Sequence, residues 1–336
     1  MNLKLIFSTI ILIIFSAISY YFNSIIWVLD FLVSIWFYTI LFYTFHILWK
    51  KFKKREITDS LEYMKYFIFR ISIFILVTIS ILWWFAYLSN EVFKAKMPEY
   101  TISNWEKTVV FQAMVHIASK SFYDEVIKNL TKFKQDWWVY FFEWVKPGTP
   151  ENMNTFNDAI GIEFESDLYE NFSKLYWVTF QNQEDLLWLV NELDFNVDLD
   201  INQIMELYEQ KNITSWEQKS KYSPPLDANK EILNALSSLN DRELKILVYL
   251  NQAILNLIVW SDSLQSVLSE NFNNEVLFDV ILNWRNKVLV DEISKSEYNK
   301  IYITYWLLHF KWVLEQLQKQ DPKWQIVGTK YLYPID

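Results

Sequence analysis

The chain has 336 residues, no cysteine and a formal net charge of −9, from 40 acidic and 31 basic side chains. The lack of cysteine excludes structural disulfides and thiolate metal sites, and the acidic balance argues against a nucleic-acid partner, which needs basic patches. Residues 1–90 are rich in Ile, Leu, Phe and Trp, whereas nearly all Asp and Glu follow them. The sequence therefore predicts a membrane block, 1–90, followed by a globular domain, 96–336.

Three apolar runs predict transmembrane helices at about 5–21, 25–48 and 66–88, because each approaches the roughly 20 residues that cross the hydrocarbon layer. The first run could instead be a cleaved signal peptide, but we favour a retained helix. The loop 50–55 holds five basic residues, and short loops rich in Lys and Arg stay in the cytoplasm. We therefore predict a multi-pass protein of the cell membrane, embedded in the lipid bilayer, with an extracytoplasmic C-terminal domain.

The domain contains both strand and helix patterns. Amphipathic spacing predicts a helix at Ser121–Lys134 and a mostly helical middle from Leu168 to Leu289, while residues 215–227 read as a loop. Strand patterns occur at Thr108–Met114, Val139–Val145, Ile301–Leu307 and Gln325–Leu332. This order predicts an α+β fold of two related strand–helix–strand halves with a helical middle, preceded by about three transmembrane helices.

Two histidines and one glutamate are the leading candidates for chemistry in this domain. His116 and His309 each follow a predicted strand and precede a predicted helix, a place where open sites collect. Glu143 lies in an apolar run, where an ionised group is costly unless it is paired or metal-bound. Two imidazoles and a carboxylate could bind a divalent ion such as Zn, Mn or Co and leave a position for water. An ordinary hydrogen-bonding role is the alternative for each histidine.

Arg285 and Asn286 interrupt the predicted helical run Val276–Ile293. An arginine there could bind a substrate carboxylate or hold Glu143, and a solvated helix face is the alternative.

Two further acidic residues, Asp198 and Asp200, precede a predicted helix that begins near Ile201. They could bind a metal or cap that helix, and we favour capping.

Tryptophan is abundant and glycine scarce, with 17 and 3 residues, although glycine ordinarily makes up about 7% of a protein. Several tryptophans, among them Trp144, Trp216 and Trp260, occupy places that favour a small or turn residue. We hypothesise that the gene comes from a lineage that reads UGA as glycine, so that many of these positions are glycine in the native protein. A truly aromatic-rich chain is the alternative.

Three short motifs resemble those of the superfamily that joins TraB/PrgY pheromone-shutdown proteins, GumN-like proteins and Tiki metalloproteases. Ala113-Met114-Val115-His116 resembles the first Gly-x-x-His, with Ala in the glycine place, and is followed by a helix and a strand that ends in Glu143. Arg285-Asn286 resembles the family's Arg-Asn motif. The segment from Trp306 to Trp312, which contains His309, resembles the second Gly-x-x-His-x-x-Gly but has Trp in both glycine places.

The resemblance covers about residues 105–336 and implies an α+β fold in which His116, Glu143 and His309 converge, with Arg285 nearby. For the Tiki branch it also implies metal-dependent cleavage of peptide bonds. Glu143 would then be a ligand or the general base, and Arg285 would stabilise developing negative charge.

Two other functions stay open. The chain could be a non-enzymatic membrane protein that binds or sequesters a peptide or other small ligand, as the pheromone-shutdown branch suggests. It could also be a sensor or transporter accessory that acts through Asp30, His46 and Arg70, because ionisable groups within membranes are often functional.

Overall fold

The computed structural model describes residues 10, 13, 39–40, 42–44, 46–52, 60–160, 168–181, 183–212, 228–261 and 275–335. The chain forms two compact units, one of Met1–Leu88 with Ser237–Tyr249 and one of Ser89–Leu236 with Leu250–Asp336. A mixed sheet and many helices place the chain in the α+β class, as predicted. The predicted loop 215–227 and most of the predicted spans 5–21 and 25–48 lie outside the described residues.

The helices with defined bounds are α1 Ser60–Tyr87, α2 Lys120–Gln135, α3 Pro150–Ile160, α4 Leu168–Lys174, α5 Gln183–Leu187, α6 Ile201–Asn212, α7 Ala228–Ser238, α8 Asp241–Trp260, α9 Glu275–Asp279, α10 Arg285–Lys295 and α11 Phe310–Gln320. Two π-helical turns, Leu88–Val92 and Val280–Trp284, follow α1 and α9. The predicted helix Ser121–Lys134 is confirmed as α2, and the run Val276–Ile293 contains a π-helical turn directly before Arg285.

Within the described part of the chain, two helical segments have the length and hydropathy to cross a membrane. The first, Lys65–Val92, coincides with the predicted span at 66–88. The second is α8, which we predicted only as part of the helical middle. Asn251 and Gln252 of α8 donate hydrogen bonds to the Leu175 and Tyr176 carbonyls of the second unit. The part of α8 from Leu250 onward thus belongs to the second unit, and the part up to Tyr249 belongs to the first.

The strands of the second unit are β1 Met97–Ser103, β2 Thr108–Met114, β3 Ile117–Ala118, β4 Val139–Phe142, β5 Thr179–Phe180, β6 Phe195–Asn196, β7 Lys300–Trp306 and β8 Gln325–Leu332. Six of them form a sheet in the order β6-β4-β7-β2-β1-β8, and β3 pairs with β5. The strands β6, β4, β7 and β2 are parallel, whereas β1 is antiparallel to β2 and β8. The four parallel strands therefore end at one edge of the sheet.

The central strands are buried because helices cover the sheet. The side chains of β2 from Val109 to Met114 are all buried, and β7 is buried from Ile301 to Tyr305, as expected for parallel strands packed on both faces. The apolar faces of α2, α10 and α11 join them in one core, which includes Phe122, Leu130, Leu289, Ile293, Val313 and Leu317. Because α2 connects β2 to β4 and α11 connects β7 to β8, both predicted strand–helix–strand segments are present.

Three described residues other than glycine have a positive φ, and all three are tryptophans: Trp105 at 79°, Trp137 at 62° and Trp177 at 51°. None of them is a tryptophan that the sequence pattern had marked as suspect. Trp216 lies outside the described residues, and Trp306 has an ordinary φ of −56°.

Candidate active site

The carboxyl ends of the four parallel strands carry the candidate residues. Glu143 directly follows β4, His116 follows β2 by two residues, and His309 closes the 3₁₀ turn Leu307–His309 after β7. Asp198 follows β6 by two residues. Ligands of open sheets with parallel strands bind outside these strand ends, so the topology gathers the four side chains at the edge where a site is expected.

Arg285 links two of these residues. Its Nε and Nη2 atoms donate to the Asp198 carboxylate at 2.6 and 2.9 Å, and Nη2 also donates to Glu143 Oε1. The side chains of Arg285, Asp198 and Glu143 are only 6%, 0% and 13% exposed. Burial opposes the charge on Arg285, but Glu143 and Asp198 outweigh it and raise the pKa of the guanidinium. Two buried carboxylates thus share one cation.

Asp198 is a site residue that the sequence reading assigned wrongly. We predicted a helix cap, but its carboxylate is bound by Arg285 and lies 3.4 Å from the Tyr305 hydroxyl. The capping prediction is confirmed for Asp200, which accepts from the Gln203 N–H at 2.8 Å while the Gln203 side chain accepts from the Asp200 N–H at 3.0 Å. The sequence did contain a signal for Asp198, because this acidic residue lies between two apolar residues, Val197 and Leu199, which are buried in the structure.

Glu143 lies at the centre of the cluster. Its Oε2 atom accepts a hydrogen bond of 2.6 Å from the Trp306 N–H, which fixes the carboxylate against the end of β7. Its Oε1 atom lies 4.0 Å from Nε2 of His309. Burial and the charge of Asp198 raise the pKa of Glu143 despite the opposing effect of Arg285. The carboxyl group is therefore more easily protonated than an ordinary glutamate.

His309 is fully buried and neutral. Its Nδ1 atom lies 2.6 Å from Oδ1 of Asn286, an oxygen that can only accept, so Nδ1 carries the ring proton. The other nitrogen, Nε2, has a lone pair and no hydrogen-bond partner within the described structure. Burial, followed by the charges of Arg285 and His116, lowers the pKa of His309 well below its ordinary value. Asn286, the second residue of the predicted Arg-Asn motif, thus orients the ring.

His116 lies at the margin of the cluster. Its ring centroid is 5.8 Å from that of Trp306, whose ring lies 5.9 Å from that of His309. Burial of the ring and the charge of Arg285 lower its pKa to about 4. The residue as a whole is nevertheless exposed, and solvent limits the effect of burial. We therefore expect the pKa of His116 to be lowered less than that of His309.

The structure brings Arg285, Glu143 and His309 into direct or near contact, with His116 adjoining them through Trp306. Glu143 and His309 fit a divalent ion in part, because a carboxylate oxygen and an unpartnered imidazole lone pair are suitable donors. Across the described ranges, no group of three or more His, Cys, Asp or Glu side chains is arranged to hold a metal ion. The role of His116 as a third ligand stays a prediction.

The metal-free chain should lose stability as the pH falls below about 6.5, the ordinary pKa of histidine. Because the folded-state pKa of His309 is depressed, the unfolded chain takes up a proton there first, at up to about 1.4 kcal/mol per pH unit. His116 acts in the same direction, whereas the raised pKa of Glu143 makes stability fall as the pH rises through its own titration.

Denaturant unfolding with a chelator present, between pH 5 and pH 7.5, would measure this dependence. The His309→Gln variant should show a flatter pH dependence than the parent, and His46→Gln should match the parent. Parallel curves for the parent and His309→Gln would contradict a neutral buried imidazole at this position.

Comparisons with family models, curated proteins and solved structures found no match to this chain.

Proposed function

We propose that the chain is a membrane-anchored, metal-dependent hydrolase of the TraB/Tiki type, whose domain 96–336 cleaves peptide bonds outside the cytoplasm. Its predicted halves, which contain α2 and α11, contribute one histidine each. Lys65–Val92 supports the anchoring, since it has the length and hydropathy of a membrane span. The relationship of the two halves to each other and the membrane insertion of residues 5–21 and 25–48 are parts of this proposal.

The lone pair on Nε2 of His309 carries the proposal. It lies in a buried place, 4.0 Å from the Oε1 atom of Glu143, and has no hydrogen-bond partner within the described structure. A buried acceptor without a partner, next to a carboxylate, favours a cation or a proton donor beside it. Asp198 supports the same conclusion, because it shares the single charge of Arg285 and leaves the cluster with an excess of negative charge.

In the proposed enzyme His309, Glu143 and His116 would hold a Zn, Mn or Co ion. The bound ion would polarise the scissile carbonyl and lower the pKa of a water molecule. The remaining roles belong to the chain itself. Asn286 keeps the proton of His309 on Nδ1, and Arg285 offers positive charge to a developing oxyanion. Glu143 is either a ligand or the base that takes a proton, a role that its raised pKa favours.

Metal binding by the purified full chain tests this proposal. We expect about one ion per chain with Zn, Mn or Co by elemental analysis and calorimetry, and at least a tenfold weaker affinity in His309→Gln. The Asn286→Ala variant should weaken binding by about tenfold or more, since the residues that orient a ligand contribute that much. His46→Gln provides the control, because it removes a histidine outside the cluster.

Peptide hydrolysis by the metal-loaded chain, abolished by a chelator and by His309→Gln, would support the enzyme. A folded parent without affinity for these ions would contradict it. Ligand binding that survives His309→Gln would favour the peptide-binding alternative instead.

A further inference from the structure

The end of α2 has the hydrogen bonds of a Schellman motif. The Trp138 N–H donates to the Phe133 carbonyl at 3.1 Å, and the Trp137 N–H donates to the Lys134 carbonyl at 3.1 Å. This 6→1 and 5→2 pattern requires a left-handed residue at the first position beyond the cap, which is usually glycine. Trp137 occupies that position with a φ of 62°.

The end of α4 repeats this arrangement. The Val178 N–H donates to the Ser173 carbonyl at 3.2 Å, and the Trp177 N–H donates to the Lys174 carbonyl at 3.4 Å. Trp177 is the left-handed residue, with a φ of 51°. Two helices of different length and sequence therefore end in the same glycine-type motif with tryptophan in the glycine place.

The third residue, Trp105, lies in the hairpin that joins β1 to β2. The Asn104 N–H donates to the Lys107 carbonyl at 3.2 Å, which leaves Trp105 and Glu106 as a two-residue loop. Such loops need a positive φ at their first position and favour Gly, Asn or Asp there. Trp105 has a φ of 79°.

The indoles offer no packing that would offset these conformations. Trp105, Trp137 and Trp177 are 79%, 88% and 67% exposed. A left-handed conformation brings Cβ close to the following carbonyl oxygen, so a bulky residue there is a genuine outlier. Tryptophan at these positions is therefore unfavourable twice, because its backbone is strained and its large apolar side chain is exposed to water.

We infer that residues 105, 137 and 177 are glycines in the protein that its own cells make, encoded by UGA and decoded as glycine. The inference rests on backbone geometry and is independent of the proposed hydrolase. It also extends to the other tryptophans of the chain, whose φ angles do not distinguish glycine from tryptophan. Each remaining tryptophan encoded by UGA is a glycine too, whereas each encoded by UGG is a true tryptophan.

The gene and the native protein test the inference directly. Codons 105, 137 and 177 should be UGA, and peptides of the protein isolated from its own cells should have masses that correspond to glycine at all three positions. A UGG codon at these positions, or peptide masses that correspond to tryptophan, would overturn it.

A stability measurement on the full chain in detergent provides a separate test. Glycine at all three positions should raise the thermal unfolding midpoint by about 5 °C or more, because three strained residues are relieved. The matched control is Trp188→Gly, since Trp188 is 85% exposed and has no positive φ. An unchanged midpoint in the triple variant, or an equal rise in the control, would count against the inference. Neither test measures metal binding or hydrolysis, so the inference about glycine can hold even if the proposed function fails.

Discussion

Replacing Arg285 with leucine should destabilise the second unit by about 3–5 kcal/mol, the range found when one partner of a buried ion pair is removed. The reason is that Glu143 and Asp198 would then face each other as buried carboxylates without a cation. Leucine fills much of the space but supplies no positive charge. Denaturant unfolding of the purified chain, compared with the parent at pH 7, measures the loss.

Lys287→Leu is the matched control, because Lys287 lies two residues further along α10 and is exposed. Its effect should stay within about 0.5 kcal/mol, as for most surface substitutions. Adding Glu143→Gln and Asp198→Asn to Arg285→Leu should recover part of the stability, since it removes the uncompensated charges. An Arg285→Leu protein as stable as the Lys287→Leu control would contradict the ion-pair cluster.

Two aspartates separated by a single residue should respond very differently to alanine. Asp198→Ala removes a carboxylate that binds Arg285 through two nitrogens, and should cost about 3 kcal/mol. Asp200→Ala removes the N-cap of α6 and should cost about 1 kcal/mol. Chemical denaturation of both variants, side by side, measures the difference.

The conservative variants separate charge from packing. Asp200→Ser should retain most of the capping, because a serine hydroxyl also accepts at an N-cap. Asp198→Asn should remain destabilised, since an amide cannot balance the arginine charge. Equal losses for Asp198→Ala and Asp200→Ala would mean that Asp198 has no special partner.

The regular parts of the second unit could be predicted because local pattern and tertiary packing agree there. The bounds of β2 and β8 match the predicted strands at Thr108–Met114 and Gln325–Leu332. The strand β1 was missed, since Pro98 and Glu99 interrupt its alternation. Glu99 is buried in the sheet with help from Asn129 and Lys330, at 3.3 and 3.4 Å. These partners are distant in sequence, so no local pattern indicates them.

The sequence could predict site residues only where a residue interrupts the pattern of its own segment. Glu143 could be found because it interrupts an apolar run, and Arg285 because it interrupts a helical pattern. Their pairing spans 142 residues, and that of Arg285 with Asp198 spans 87. Asp198 looked like a helix cap because Asp200, two residues later, is one. The strand order that brings these residues together is a tertiary property that no sequence periodicity contains.

The position of the candidate residues just beyond the ends of four parallel strands makes the site sensitive to strand alignment. Phe142 pairs with Thr304 across β4 and β7, and Glu143 then reaches the Trp306 N–H. A shift of one residue between these strands would move the two groups apart by about 3.3 Å and turn alternate side chains to the opposite face. A single residue inserted within β4 or β7 should therefore disrupt the site.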